Sequence, residues 1–250
     1  MLEGKCQRFL YENLKVYFSF AFLPIVHLLG IIKERFGKES MIIAIDGPAA
    51  AGKGTLARAL ASKLGFAYLD TGALYRAVAL GVKYEGGNLN DPILAKKIAL
   101  NLNKTLLEDH NLRLEETGES ASIVAAMPEV RAALLTFQRN FVKNIPEGKK
   151  GAILDGRDIG TVVVPDADLK FFVTASPETR AGRRFKDMIA RGVDVNFEYI
   201  LKEVKDRDAR DSNRKTSPLK KAENALLLDT TKLDIDGVLQ IALKAYQSLS

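Results

Sequence analysis

Met41-Ile42-Ile43-Ala44-Ile45-Asp46-Gly47-Pro48-Ala49-Ala50-Ala51-Gly52-Lys53-Gly54-Thr55 is the stretch from which the fold can be read. Ile42 to Ile45 form a short apolar run, the pattern of a strand buried on both faces. Asp46-Gly47-Pro48 cannot continue that strand. Gly47, Gly52 and Lys53 then give G-x-x-x-x-G-K, and a regular helical stretch, Leu56 to Leu64, follows directly. Strand, glycine-rich turn and helix N-terminus in this order form a phosphate site. Small residues let backbone N–H groups converge on one concavity, the helix dipole adds to them, and Lys53 supplies a mobile charge. The alternative is a chance glycine turn, against which the flanking strand and helix both speak. Gly54 stands where the commonest form of the motif has Ser or Thr.

The chain has 250 residues, 47% of them hydrophobic. That suits one α/β domain with room for a small excursion, not two large domains. The net charge of +6 fits a polyanionic ligand, nucleotide or nucleic acid, without choosing between them. Zinc-finger spacing, an RNP-type aromatic motif and a lysine-rich tail are all missing from the sequence, which argues against nucleic acid. Cys6 is the single cysteine, and after residue 40 the only histidine is His110. This excludes a disulfide framework and argues against thiol catalysis, a Ser-His-Asp triad and Cys/His zinc sites in the main body. Chemistry there must use Asp, Arg and Lys, with or without a metal.

Residues 1–40 differ from the rest. Val16 to Ile32 (VYFSFAFLPIVHLLGII) is apolar, is interrupted by Pro24 and His27, and follows Lys5, Arg8 and Lys15. No A-x-A-like cleavage site follows it. Three readings stand: a membrane anchor, a helix packed on the catalytic domain, or upstream sequence attached by an early start assignment. The last is preferred because Met41 stands at the first residue of the strand. Residues 1–40 are therefore expected to lie outside the catalytic fold.

Phe66 to Leu69 reads as a short strand. Asp70 or Thr71 then caps a helix carrying Tyr75 and Arg76 about one turn in, where both can reach a ligand; a surface charge for Arg76 and core packing for Tyr75 remain equal alternatives. Residues 91–104 read as an amphipathic helix. Leu106 to Leu114 reads as a small hairpin with Asp109-His110-Asn111 at its turn. Residues 120–126 are ambiguous. Pro128 opens a long helix to about Asn144, with Val130, Leu134, Leu135, Phe137 and Phe141 as its apolar positions. Arg131 in its first turn opposes the helix dipole and calls for an anionic or polar partner.

Ala152 to Leu154 is a second buried strand, ending in Asp155-Gly156-Arg157-Asp158. A carboxylate at the carboxyl end of such a strand can hold Mg2+ as a Walker B acid does; the alternative is an ordinary Asp-Gly turn. Residues 168–175 form the next strand. Ser176 caps a helix with Arg180, Arg183 and Arg184 on one face, either solvated or clamping an anion. Asn196 to about Lys215 is a charged helix with Arg207, Asp211 and Arg214 along one stripe, which internal pairing alone could explain. Residues 225–229 are the last strand. Asp234 starts a final helix whose core face is Ile235, Val238, Leu239, Ala242, Tyr246 and Leu249.

IDGPAAAGKGT, DTGALYR, ILDGRDIGTVVVPDADLKFFVTAS and KDRDARDSNR together resemble bacterial cytidylate kinase, in order, across Met41 to Ser250. The form GKGT resembles the nucleoside monophosphate kinases more widely, such as adenylate kinase. The resemblance implies an α/β P-loop NTPase fold in three layers, with a central parallel five-stranded sheet. It also implies a monophosphate-binding lobe at about 70–145 and lid helices at about 176–192, all within a kinase domain at 41–250. Gly47, Pro48, Ala49, Ala50, Ala51, Gly52, Lys53, Gly54 and Thr55 would cradle ATP. Thr71, Tyr75, Arg76, Arg157, Arg207, Asp211 and Arg214 would hold the monophosphate and its sugar, while Ser122, Arg131 and Asp158 would read the pyrimidine ring. Lys53, Asp155, Arg157, Arg180 and Arg184 would be catalytic. Thr55 and Asp155 would attend Mg2+, Thr55 alternatively a phosphate. Two departures stand out. Thr71 replaces the Ser of many relatives, and the usual β-rich insert of the monophosphate lobe is short here.

The implied reaction is ATP plus CMP or dCMP giving ADP plus CDP or dCDP, with ATP and Mg2+ as cofactors. The expected partners are these nucleotides, with no nucleic acid and no membrane beyond an anchor at 1–40. The expected state is a cytoplasmic monomer. The competing readings are a P-loop kinase for another small acceptor and a membrane-tethered nucleotide-binding regulatory protein.

Overall fold

The computed structural model describes residues 40–249. The three readings of the N-terminal extension fall on residues outside that range. Strands β1 (Met41–Asp46), β2 (Ala67–Asp70), β3 (Gly151–Gly156), β4 (Leu169–Thr174) and β5 (Leu226–Asp229) form one sheet in the order β2-β3-β1-β4-β5. All pairings are parallel. The helices are α1 (Lys53–Leu64), α2 (Thr71–Tyr84), α3 (Pro92–Leu100), α4 (Lys104–Leu107), α5 (Glu115–Val124), α6 (Pro128–Lys143), α7 (Pro177–Ala190), α8 (Phe197–Asn213) and α9 (Ile235–Gln247). This is the expected three-layer α/β architecture.

Alternation along β1 explains its unbroken apolar run. Ile43 and Ile45 pack with Leu56 and Leu60 of α1 and Val238 and Ala242 of α9. Ile42 and Ala44 face the other layer, with Leu154 of β3 and Leu135 and Phe141 of α6. Register then aligns the strand ends: Ile45 lies opposite Asp155, Asp46 opposite Gly156, and Asp70 opposite Asp155. Three carboxylates thus collect at one edge, outside the carboxyl ends of the strands, where open parallel sheets bind ligands.

Several expectations change. Residues 106–114 are not a hairpin: α4 is followed by a 3-10 turn at His110–Arg113. Asn103 accepts from the Leu106 N–H at 3.0 Å and Asp109 from the Asn111 N–H at 2.8 Å. These side chains take donors that a hairpin ladder would have used. Between β2 and β3 all regular structure is helical, and the ambiguous stretch 120–126 belongs largely to α5. Phe137 on α6 and Ile235 on α9 are 39% and 40% exposed, and Leu249 lies past the end of α9, so none of the three belongs to the core. Among the described residues no single helix is long and apolar enough to cross a membrane.

Candidate active site

Backbone geometry shapes the loop after β1. Gly47 has φ 146°, and a Cβ there would sit 1.9 Å from the Val173 carbonyl oxygen of β4. Only glycine fits. Ala50 (φ 58°) and Gly52 (φ 91°) turn the chain through left-handed conformations, and Gly52 opens α1 with no side-chain cap. Its first N–H groups are left for a ligand. Lys53 folds back, its Nζ donating to the Pro48 carbonyl at 2.7 Å. A Cβ on Gly54 would come 3.3 Å from both Asp155 Oδ2 and Arg58 Nη1, so a side chain there would press on both.

Two cavities flank this loop. The first, about 230 Å³, is walled by Ala49, Ala50, Lys53 and Gly54 on one side and by residues of α2, α5, α6, α8 and the end of β3 on the other. Thr71, Tyr75, Arg76, Ser122, Arg131, Arg157, Asp158, Arg207, Asp211 and Arg214 all line it, together with Asp155. Ten positions scattered over 144 residues of sequence are brought to one concavity. The second cavity, about 260 Å³, is lined by Ala51, Gly52 and Thr55 with Arg183, Thr230 and the start of α9. Gly47 and Pro48 line neither.

The first cavity has an ordered floor. Arg131 Nη2 donates to Asp158 Oδ2 at 2.5 Å, the anionic partner that its place in the first turn of α6 required. Its guanidinium lies 5.5 Å from the centre of the Tyr75 ring. Arg157 Nε donates to Asp211 Oδ2 at 2.8 Å. Arg214 lies 4.0 Å from Asp158 and 3.8 Å from Asp211. Thr71 Oγ1 donates to the Asp155 carbonyl at 2.7 Å, and Ser122 Oγ to the Glu119 carbonyl at 2.7 Å.

Positive charge exceeds what these carboxylates balance. Arg207 Nε and Arg214 Nη2 are buried without a hydrogen-bond partner. Burial, then the neighbouring Arg157, pushes the Arg207 guanidinium down to about 10. Lys53 is pushed down by burial and by Arg157, against Asp155 and Asp46, which support its charge. Asp155 is pushed up by burial and by Asp70. Burial would also raise Asp211, but Arg157, Arg207 and Arg214 hold it below the usual carboxylate range. The site is built around an excess of buried cations, as a polyanion's site would be.

Arg180 and Arg184 line neither cavity. Arg180, 3% exposed, makes a two-point pair with Asp208 of α8 and also donates to the carbonyls of Ala175 and Ala49. Arg184 pairs with Glu115 of α5 and lies 3.8 Å from Glu119. The third arginine of that face, Arg183, does line the second cavity, donating to Thr230 Oγ1 at 2.9 Å. Thr55 and Asp155 open into different cavities.

The family model described as Cytidylate kinase matches residues 43–248. The chain belongs to the cytidylate kinase family. It is 51% identical to a cytidylate kinase of Rhodospirillum rubrum over 81% of this chain and 95% of that protein. It is 52% identical to one of Paramagnetospirillum magneticum over 82% and 96%, and 49% identical to one of Rhodopseudomonas palustris over 84% and 97%.

Within this cytidylate kinase family member, several site residues escaped the reading of the sequence. Asp70 lines the first cavity while accepting from the Ala73 N–H. Its position beside Thr71, at the end of a strand, was the available signal. Asp208 has no local signal, because its partner Arg180 is on another helix. Asp46, 3% exposed, accepts from the backbone N–H groups of Ile159 and Gly160 at 2.7 Å each.

Proposed function

We propose that the chain transfers the γ-phosphoryl group of ATP to the phosphate of CMP or dCMP, giving ADP and CDP or dCDP. The observation that carries this reading is the first cavity. A floor of Arg131, Asp158, Ser122 and Tyr75 lies beside Arg76, Arg157, Arg207 and Lys53, and buried nitrogens of Arg207 and Arg214 there lack a hydrogen-bond partner. The acceptor ring sits on that floor. Asp158, held by Arg131, accepts from an exocyclic amine, the group that distinguishes cytosine from uracil. Asp211, fixed by Arg157, is left for a sugar hydroxyl.

The acceptor phosphate is already anionic, so no general base is needed. The cations neutralise charge on the migrating phosphoryl oxygens and hold nucleophile and leaving group in line. ATP lies along the loop 47–55. Its base and ribose occupy the second cavity, walled by Arg183 and Asp234, and its phosphates reach the N–H groups of α1 and Lys53. Thr55 contributes its hydroxyl to a donor phosphate.

Asp155 fits Mg2+: a buried carboxylate, pushed up by burial and Asp70, is returned to its charged form by a cation. Among the described residues no cluster of three metal-ligating side chains surrounds it, so the nucleotide phosphates would supply most of the oxygens. Bound there, Mg2+ would neutralise phosphate charge during transfer. On this reading the working state is a monomer acting in the cytoplasm.

A coupled ADP-release assay against CMP, dCMP, UMP, AMP and shikimate, repeated with Lys53→Ala, tests the reading. CMP and dCMP should give the highest turnover, and Lys53→Ala should abolish it. No turnover with either would refute it.

A further inference from the structure

The segment after Asp158 contains a short π-helical turn, Ile159–Val163, and Asp158 stands at its N-cap position. The first N–H groups of any helical turn lack partners within the turn, and the usual donor of relief is the side chain of the N-cap residue itself. Asp158 makes no such cap. Its Oδ2 is committed to Arg131 and its Oδ1 lies toward Arg214. The orphan N–H groups of Ile159 and Gly160 are taken instead by Asp46, 113 and 114 residues away in sequence, one carboxylate oxygen to each at 2.7 Å. Ile159 is fully buried, so no solvent stands ready to satisfy these donors.

We infer that Asp46 is a positioning residue for the acceptor base: by capping the Ile159–Val163 turn from the end of β1, it frees the Asp158 carboxylate to face the first cavity. Were the cap lost, Asp158, at the N-cap position, is the residue placed to take the Gly160 N–H. Rotating it onto the turn would break the Arg131 pair and remove the carboxylate from the cavity floor. Asp46 lines neither cavity. Its effect through Asp158 is therefore expected in recognition of the acceptor, separate from its electrostatic support of Lys53.

The inference rests on the acceptor reading above, and one set of measurements separates the two. Asp46→Asn replaces one of the two acceptors by an N–H group, which cannot cap. In the full chain its KM for CMP should rise at least fivefold and its preference for CMP over UMP should fall, while KM for ATP stays within twofold. In an Asp158→Asn background the same substitution should change KM for CMP by less than twofold, because there is no longer a carboxylate to misplace. If Asp46→Asn does not fold, Asp46→Glu, which displaces both acceptors by one methylene, is measured in the same way. Equal rises in KM for CMP and ATP, a fall in kcat alone, or full additivity with Asp158→Asn would each overturn the inference and leave Asp46 a structural residue of the loop. Absence of CMP turnover in the unmodified protein would instead refute the acceptor reading.

Discussion

Arg207→Met should make the unliganded protein no less stable while impairing it as an enzyme. The Arg207 guanidinium is desolvated among Arg157, Arg76 and Arg184, which Asp211 only partly offsets; its Nε has no acceptor, and its pKa is pushed down to about 10. That shift is equivalent to about 3 kcal/mol of unfavourable environment for the charged form. The side chain is only partly buried, so screening reduces this to about 1–2 kcal/mol. Met keeps much of the apolar stem, and Asp211 keeps Arg157 at 2.8 Å. The melting temperature without ligand should therefore hold or rise by a few degrees, at about 2–4 °C per kcal/mol for a domain of this size. The bound state behaves oppositely. One charge-assisted phosphate contact is worth about 2 kcal/mol, a factor of about 30 in affinity. CMP at a hundred times its Kd should stabilise the unmodified protein by about 2.7 kcal/mol, and at the same concentration stabilise Arg207→Met by only about 1 kcal/mol. Thermal melts with and without CMP, run beside the ADP-release assay, read both sides. A variant that melts lower without ligand and keeps its KM for CMP would show that Arg207 is a structural cation, and the account of the cavity as over-charged would fail.

Arg157→Ala and Arg76→Ala should each lower kcat/KM for CMP by about 2 kcal/mol or more, roughly thirtyfold, by loss of charge-assisted contacts; near-normal kinetics would show that neither contacts the acceptor phosphate. Asp208→Ala strands the buried Arg180 and should destabilise the fold by about 3–5 kcal/mol in urea unfolding, with less damage from removing both partners together. A loss below 1 kcal/mol would show the pair to be inessential. Asp46 supplies a pH test. Its folded pKa of about 6 lies above the ordinary 3.8, so folding takes up a proton there. This contribution to stability is fully present below about pH 4 and lost as pH rises through 6, by at most about 3 kcal/mol. Urea unfolding from pH 4 to 7.5 should show that decline in the unmodified protein and a flatter curve in Asp46→Asn; parallel curves would refute the assignment.

The strands were readable because a strand buried on both faces needs an unbroken apolar run; β1 and β3 have one, and Lys170 alone interrupts that of β4. The walls of the first cavity were readable because four short blocks carry most of its side chains. What escaped depends on partners distant in sequence. The face of Arg180, Arg183 and Arg184 is helical as expected, but which neighbour each arginine meets is decided by how α7 packs on α8 and α5. Arg180 and Arg184 meet carboxylates and Arg183 meets Thr230. The misread hairpin at 106–114 has the opposite origin. Asp109 was taken as a turn former, which it is, but its side chain starts a helical turn, and Asn103, read as part of a helix, starts another. Asp46 looked like the end of a strand, and nothing near it announces Ile159 and Gly160.

The five residues from Ala51 to Thr55 divide the two cavities: Lys53 and Gly54 belong to one side, Ala51, Gly52 and Thr55 to the other. A partition one helical turn thick has no interior of its own. Substitutions in this strip will therefore resist sorting into donor and acceptor classes. Each should move the apparent affinity of both nucleotides, and pairs of them should combine non-additively. Changes at Ser122 or at Thr230, one wall further out on either side, should keep to a single substrate.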